Sequence, residues 1–212
     1  THNIDPEKIE IERLPTLVKL IHLSIATHIF VGGSTDKNNC IENVIIELKK
    51  ATILPVIIFP GSADQVSNKA DGILFLSLIS GRNAEYLIEQ QVQAAIQIKE
   101  SNLEVLPTGY ILVDGGKESA VERVSSSKPI CQTNSELILK TALAGEFSGK
   151  KIIYLEEALS NSDLISNFYI LNFNNKFIQY RIIYNGSPKT FINDMTNRYF
   201  DLAMENNVWM VK

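Results

Sequence analysis

The chain has 212 residues, of which 45% are hydrophobic and 21% charged, and its formal net charge is −4. This balance is typical of a globular domain, and the length predicts a single domain over residues 1–212. The negative charge argues against a nucleic-acid partner, and no apolar run approaches the roughly 20 residues that span a bilayer. Cys40 and Cys131 lack the spacing of metal ligands, so we expect reduced thiols in a cytoplasmic protein.

Short apolar segments alternate with amphipathic ones over most of the chain. Apolar runs that stop at turn residues predict strands at residues 1–4, 27–32, 54–59, 72–76, 105–113 and 151–155. Apolar residues at helical spacing predict helices at residues 38–50, 83–100 and 135–144. In the helix at 83–100, the apolar face consists of Leu87, Ile88, Val92, Ala95 and Ile98, and this face can serve either the core or an interface.

The pattern is less regular after Glu156. It predicts a short helix at residues 162–168, a strand at 177–184, a helix at 188–197 and a last strand at 200–204. Near-continuous apolar strands that alternate with helices favour a parallel α/β sheet. About eight such strands favour a closed (β/α)8 TIM barrel over an open doubly wound sheet, and the usual length of about 250 residues leads us to expect trimming at both ends.

Polar residues follow the first two predicted strands. Asp5 comes after the first strand, and Ser34 comes after the second, on the Gly32–Gly33 turn. A carboxylate and a hydroxyl on neighbouring strand ends can hold Mg²⁺, and the glycines allow close approach to a phosphate. The alternative is that Asp5 caps a helix that begins near Pro6 and that the glycines form only a turn.

A second polar group lies at the end of the sixth predicted strand. Tyr154 and Glu156 are two residues apart, so a strand places both side chains on the same side. A glutamate in a barrel mouth can serve as a general base, with the tyrosine orienting a substrate hydroxyl. The alternative is a helix N-cap or a surface carboxylate. Tyr110, on the fifth strand, either lines the mouth and contacts substrate or belongs to the core.

Several segments, in this order, carry a family resemblance: IDPEK, VGGST, PVIIFPG, ILFLSLISGRN, YLIEQQVQAA, LPTGYILVDGG and ALAGEFSGKKIIYLE. Together they resemble the geranylgeranylglyceryl phosphate synthase family of TIM-barrel prenyltransferases, which form the first ether bond of archaeal-type lipids. The resemblance extends from Ile4 to Glu156, roughly three quarters of the chain.

The resemblance implies a Mg²⁺-dependent enzyme that transfers a polyprenyl group, such as geranylgeranyl, from its diphosphate to the C3 hydroxyl of sn-glycerol 1-phosphate. Asp5 and Ser34 would hold the metal, and Tyr154 and Glu156 would bind the acceptor, with Glu156 taking the proton. The family also implies a homo-oligomer, and its lipid product implies peripheral membrane contact.

The acceptor-phosphate segments depart from the family pattern. EALSN stands at residues 157–161 in place of AGSGA, and the GGGI and GN motifs fall on residues 185–188 and 206–207. Gly186 and Asn207 are retained, and Asn206 can donate a side-chain hydrogen bond to phosphate. Four interpretations follow: the synthase itself, a non-catalytic relative that has lost the glycerol phosphate site, an enzyme with an altered acceptor, and errors in the sequence after Glu156.

Overall fold

The computed structural model describes residues 2–24, 26–33, 40–115 and 118–156, together with the strand segments 165–173, 178–184, 202–205 and 208–211. Chain contacts define two compact units, Thr1–Ala158 and Leu159–Lys212. The single domain expected over residues 1–212 stays a prediction.

The first unit is built on a six-stranded parallel sheet. Its strands are β1 (His2–Ile4), β2 (Ile29–Val31), β3 (Val56–Ile58), β4 (Gly72–Leu78), β5 (Glu104–Leu112) and β6 (Ile152–Glu156). The spatial order β1-β2-β3-β4-β5-β6 follows the chain without reversal. A doubly wound sheet reverses its order at a switch point, so the observed order is that of an α/β half-barrel. The predicted parallel α/β class and all six of these strands are confirmed.

Helices connect the strands. They are α1 (Leu14–Leu23), α2 (Ile41–Ala51), α3 (Gln90–Glu100), α4 (Ala120–Ser125) and α5 (Ser135–Phe147), with a 3-10 turn at Ile11–Arg13 and a π-helical turn at Glu85–Glu89. Two helices begin at side-chain caps: Ser119 Oγ accepts from the Glu122 amide, and Asn134 Oδ1 accepts from the Leu137 amide. Such caps satisfy amide groups that have no partner inside the helix.

Strand residues alternate between two apolar layers. On β2, Ile29 and Val31 belong to the large cluster shared with the helices, whereas Phe30 belongs to a cluster with Ile57 and Leu74. A period of two residues sends neighbours on a strand to opposite faces of the sheet. The strands are therefore buried on both faces, and this explains their nearly continuous apolar sequence.

The buried face of α3 differs from the apolar face read from the sequence. Gln91, Ala94 and Ile98 are buried, whereas Ile88 and Val92 are 52% and 66% exposed. The π-helical turn directly before α3 closes its hydrogen bonds over five residues instead of four. The extra residue rotates the following helix relative to a regular 3.6-residue repeat. Of the two roles left open for the apolar face, a core role is therefore wrong at Ile88, Val92 and Ala95, which are all exposed.

The second unit contains two antiparallel hairpins. Strand β7 (Ile165–Phe173) pairs with β8 (Ile178–Tyr184), and β9 (Leu202–Glu205) pairs with β10 (Val208–Val211). Residues 174–177 and 206–207 are too few for the crossover of a dozen or more residues that parallel strands require. The predicted strand at 177–184 is confirmed, the predicted helix at 162–168 is wrong where β7 occupies it, and the predicted helix at 188–197 lies outside the described residues.

Within the part of the chain that the structure describes, no helix has the length and apolarity needed to cross a membrane.

Candidate active site

A cavity of about 410 Å³ opens at the carboxyl ends of the parallel strands. Four of the residues predicted from strand ends line it together: Asp5, Tyr110, Tyr154 and Glu156. They share one edge because the carboxyl ends of parallel strands lie on the same side of a sheet. The other predicted site residues, Ser34, Gly186, Asn206 and Asn207, lie outside the described residues.

Most of the cavity wall is apolar. It includes Phe59 after β3, Leu76 and Leu78 on β4, Tyr86 on the π-helical turn and Val121 on α4. An apolar wall with a few polar groups is the usual composition of a small-molecule site. The cavity can therefore receive a ligand with a polar head and a hydrocarbon tail.

The two carboxylate oxygens of Asp5 have different partners. Oδ1 accepts a hydrogen bond from the Glu7 amide at 3.1 Å, and Oδ2 forms an ion pair with Lys8 Nζ at 2.7 Å. The side chains of Asp5 and Lys8 are 25% and 83% exposed. The hydrogen bond from the Glu7 amide caps a turn at residues 6–8. The first helical segment begins only at Ile11. The helix expected near Pro6 is therefore absent, while Asp5 keeps one oxygen directed at a cation.

Gly32 and Gly33 are required by close packing within the protein. A Cβ at Gly32 would lie 1.8 Å from the carbonyl oxygen of Phe59, and one at Gly33 would lie 3.0 Å from Asp5 Oδ1. These distances are shorter than a carbon and an oxygen tolerate without displacement. Gly32 thus allows the chain after β2 to lie close to the chain after β3, and Gly33 places no side chain against the Asp5 carboxylate.

Three aromatic rings form the floor beside the polar residues. The Tyr154 ring lies 5.0 Å from Phe59 and 5.2 Å from Tyr110 in edge-to-face arrangements, and Phe59 lies 6.2 Å from Tyr110. Such pairs fix ring orientation beyond simple burial. Tyr110 is only 6% exposed, so it is a core residue that also lines the cavity.

The electrostatic environment of Tyr154 and Glu156 favours their neutral forms. Burial raises the pKa of the Glu156 carboxyl above its ordinary value, and burial also raises the pKa of the Tyr154 hydroxyl. Among the ion pairs formed by described residues, none involves Glu156. A carboxylate with a raised pKa and no cationic partner is a stronger base than an exposed one.

Sequence reasoning missed two residues of this site. Phe59 packs against Tyr154, and its position just before the Pro60–Gly61 strand end was a usable signal. Lys8 lines the cavity and pairs with Asp5, and its spacing three residues after the aspartate was the signal there.

The donor set around Asp5 fits a hard cation with few protein ligands. No group of three or more His, Cys, Asp or Glu side chains in the described residues can hold a metal. Mg²⁺ needs only one or two carboxylates because it keeps waters and takes substrate phosphate oxygens. Asp5, with no side chain on Gly33 against its carboxylate and an ammonium already at Oδ2, satisfies that requirement.

Comparison with known proteins agrees with this geometry. A sequence profile of the PcrB family matches residues 1–191. The chain belongs to the PcrB family. The family resemblance inferred from the order of the sequence segments is confirmed by this match together with the similar proteins described next.

Proteins with sequences similar to this PcrB chain are named as prenyl-transferring synthases. Geranylgeranylglyceryl phosphate synthases of Flavobacterium johnsoniae and Zunongwangia profunda are 57% and 52% identical to it over 153 residues, 72% of this chain. The crystal structure of (S)-3-O-geranylgeranylglyceryl phosphate synthase from Thermoplasma acidophilum, in complex with its substrate sn-glycerol-1-phosphate, superposes with a TM-score of 0.68 at 33% identity over 73% of this chain. The chain spans 63%, 65% and 62% of the lengths of these three proteins.

Proposed function

We propose that this protein is a Mg²⁺-dependent prenyltransferase of ether-lipid synthesis. It would join a polyprenyl diphosphate, such as geranylgeranyl diphosphate, to the C3 hydroxyl of sn-glycerol 1-phosphate and release pyrophosphate. The observation that carries the proposal is that Asp5, Tyr154 and Glu156 line one cavity whose remaining wall is largely apolar. The names of the similar proteins support the same reaction.

Glu156 is the proposed general base. The oxygen of the acceptor C3 hydroxyl attacks C1 of the prenyl group, the bond from C1 to the diphosphate oxygen breaks, and its electron pair leaves with pyrophosphate. The hydroxyl proton passes to the Glu156 carboxylate, which lies in a buried environment that raises its pKa. Tyr154 keeps its proton because burial raises its pKa, so its hydroxyl can donate a hydrogen bond to the acceptor.

Asp5 and Ser34 are the proposed holders of Mg²⁺ and, through it, of the diphosphate. When bound, Mg²⁺ neutralises the negative charge that develops on the leaving group. Asp5 fits this role because its carboxylate lines the cavity and Gly33 places no side chain against it. Ser34 directly follows that glycine in sequence.

The apolar wall is the proposed site of the prenyl tail, which would lie along Leu76, Leu78 and Val121. The proposal includes the closed (β/α)8 barrel, of which the described parallel sheet supplies six strands. It also includes a cytoplasmic homo-oligomer that touches membranes only peripherally, where a lipid product would be delivered.

A second candidate is a relative with an altered acceptor or without catalysis. Barrel enzymes commonly bind phosphate with the loops that follow strands seven and eight of the parallel sheet. Here β7 and β8 pair with each other in an antiparallel hairpin, which is not the arrangement of consecutive parallel barrel strands. This observation favours a protein that binds the prenyl diphosphate but not glycerol phosphate.

Calorimetric titration of sn-glycerol 1-phosphate in the presence of Mg²⁺ and pyrophosphate separates the two candidates. Saturable binding that is weakened in Glu156→Gln and in Tyr154→Phe supports the synthase. No binding up to millimolar ligand, from protein that still binds pyrophosphate, supports the second candidate and rejects the first.

A further inference from the structure

Lys8 supplies the positive charge among the described residues that line the cavity. Of the described residues that line it, two are acidic, Asp5 and Glu156, and Lys8 alone is basic. A diphosphate carries more negative charge than one Mg²⁺ neutralises, so a site for it needs a further cation. Lys8 is the described side chain that can supply this charge within the cavity.

The contact that now holds Lys8 is easily exchanged. Its Nζ lies 2.7 Å from Asp5 Oδ2, but its side chain is 83% exposed. Ion pairs of exposed lysines contribute little to stability because water screens the charges and the long side chain loses entropy. The Lys8 ammonium can therefore leave Asp5 without disturbing the fold.

The ammonium and a metal ion would compete for the same carboxylate oxygen. Oδ1 of Asp5 is already engaged by the Glu7 amide, which leaves Oδ2 as the oxygen directed at a cation. Mg²⁺ bound at Oδ2 would release the Lys8 ammonium next to the bound metal. A lysine on a flexible stem is a common point-charge partner of phosphate.

We infer that Lys8 is a diphosphate-binding residue. Its ammonium group pairs with Asp5 in the free protein and moves to the diphosphate when the metal ion binds Asp5. The inference rests on the proposed function, because it assumes that a metal–diphosphate pair binds at Asp5. It assigns two opposite effects to one side chain. Lys8 weakens binding of the metal alone, and it strengthens binding of the diphosphate.

Two binding measurements on the full chain test this inference without an activity assay. Mn²⁺ binding, followed by electron paramagnetic resonance, reports the metal alone, and calorimetry with Mg²⁺ present reports pyrophosphate. Lys8→Met should tighten Mn²⁺ binding by about two- to fivefold, the range expected for loss of an exposed ion pair. The same variant should weaken pyrophosphate binding by about tenfold, as expected for loss of a hydrogen bond to a charged group, and Lys8→Arg should retain most of it.

Lys50 provides a matched control. It pairs with Glu47 at the same sequence spacing and the same 2.7 Å distance, on α2 and outside the residues that line the cavity. Lys50→Met should leave both binding constants unchanged. If the wild type binds Mn²⁺ and pyrophosphate and Lys8→Met binds both equally well, the inference about Lys8 is overturned while the proposed function stands. If the folded wild type binds neither ligand, both the inference and the proposed function are overturned.

Discussion

Tyr110 and Tyr154 lie opposite each other on β5 and β6, with ring centroids 5.2 Å apart and ring planes at 76°. This edge-to-face contact, together with the Phe59 ring at 5.0 Å from Tyr154, fixes the orientation of the Tyr154 ring in the cavity lining. The ring and the hydroxyl of Tyr154 therefore have separable roles, one in packing and one in binding.

Tyr154→Phe is expected to weaken binding of sn-glycerol 1-phosphate while the fold is retained. The variant keeps both ring contacts of residue 154, so the free energy of unfolding should change by less than about 0.5 kcal/mol. Loss of one neutral hydrogen bond should raise the dissociation constant by about three- to tenfold. Calorimetry and urea unfolding measure the two quantities. Tyr154→Ala is the contrasting variant, since loss of the ring should lower the free energy of unfolding by about 2–4 kcal/mol. Equal binding of sn-glycerol 1-phosphate by wild type and Tyr154→Phe would contradict a hydrogen bond from the Tyr154 hydroxyl to the acceptor.

Glu156→Gln is expected to abolish most of the prenyl transfer activity while it leaves the fold nearly unchanged. The amide has nearly the same shape but cannot accept the hydroxyl proton, and loss of a general base typically lowers the rate by about 10²- to 10⁴-fold. Single-turnover measurement of prenyl ether formation gives the rate of the chemical step. A rate within threefold of wild type would remove Glu156 from the mechanism, even if acceptor binding were weakened.

The same substitution should change the pH dependence of stability. Burial raises the folded-state pKa of Glu156 above its ordinary value of 4.5, so the folded protein holds this proton to higher pH than the unfolded chain does. The resulting contribution to stability is fully present below pH 4.5 and is lost as the pH rises through the folded-state pKa. Glu156→Gln has no such loss, so its stability relative to wild type should increase as the pH rises from below 4.5 through the folded-state pKa. Urea unfolding across that range tests the trend, and a constant or decreasing difference would contradict a buried carboxyl.

Gly32→Ala is expected to destabilise the protein strongly. The new Cβ would lie 1.8 Å from a backbone oxygen of Phe59, which cannot rotate away as a side chain can. Overpacking of this kind should cost about 3 kcal/mol or more. Gly149 is the matched control, because its φ is +84° but a Cβ there meets nothing within 4 Å, so Gly149→Ala should cost only about 1–2 kcal/mol. Similar unfolding free energies for the two variants would show that the β2–β3 approach is not rigid.

The first six strands could be predicted from the sequence because each is a short apolar run that ends at a turn residue. Asp5, Tyr154 and Glu156 could be placed at strand ends by the same argument, since a parallel sheet gathers those ends. The buried face of α3 could not be predicted, because a π-helical turn changes the repeat and Val92 turns outward. The hairpin of β7 and β8 was missed because the pairing partner, and not the local pattern at residues 162–168, decides that segment's conformation. Lys8 was missed because its ion pair depends on the turn after β1.

The most direct test of the proposed function is formation of the product. The purified chain is incubated with Mg²⁺, sn-glycerol 1-phosphate and polyprenyl diphosphates of several chain lengths, and the prenyl ether and pyrophosphate are quantified by mass spectrometry and a coupled phosphate assay. We expect equal amounts of ether and pyrophosphate from at least one prenyl length, with both lost in Glu156→Gln. Folded protein that yields no ether with any prenyl length would contradict the proposed function.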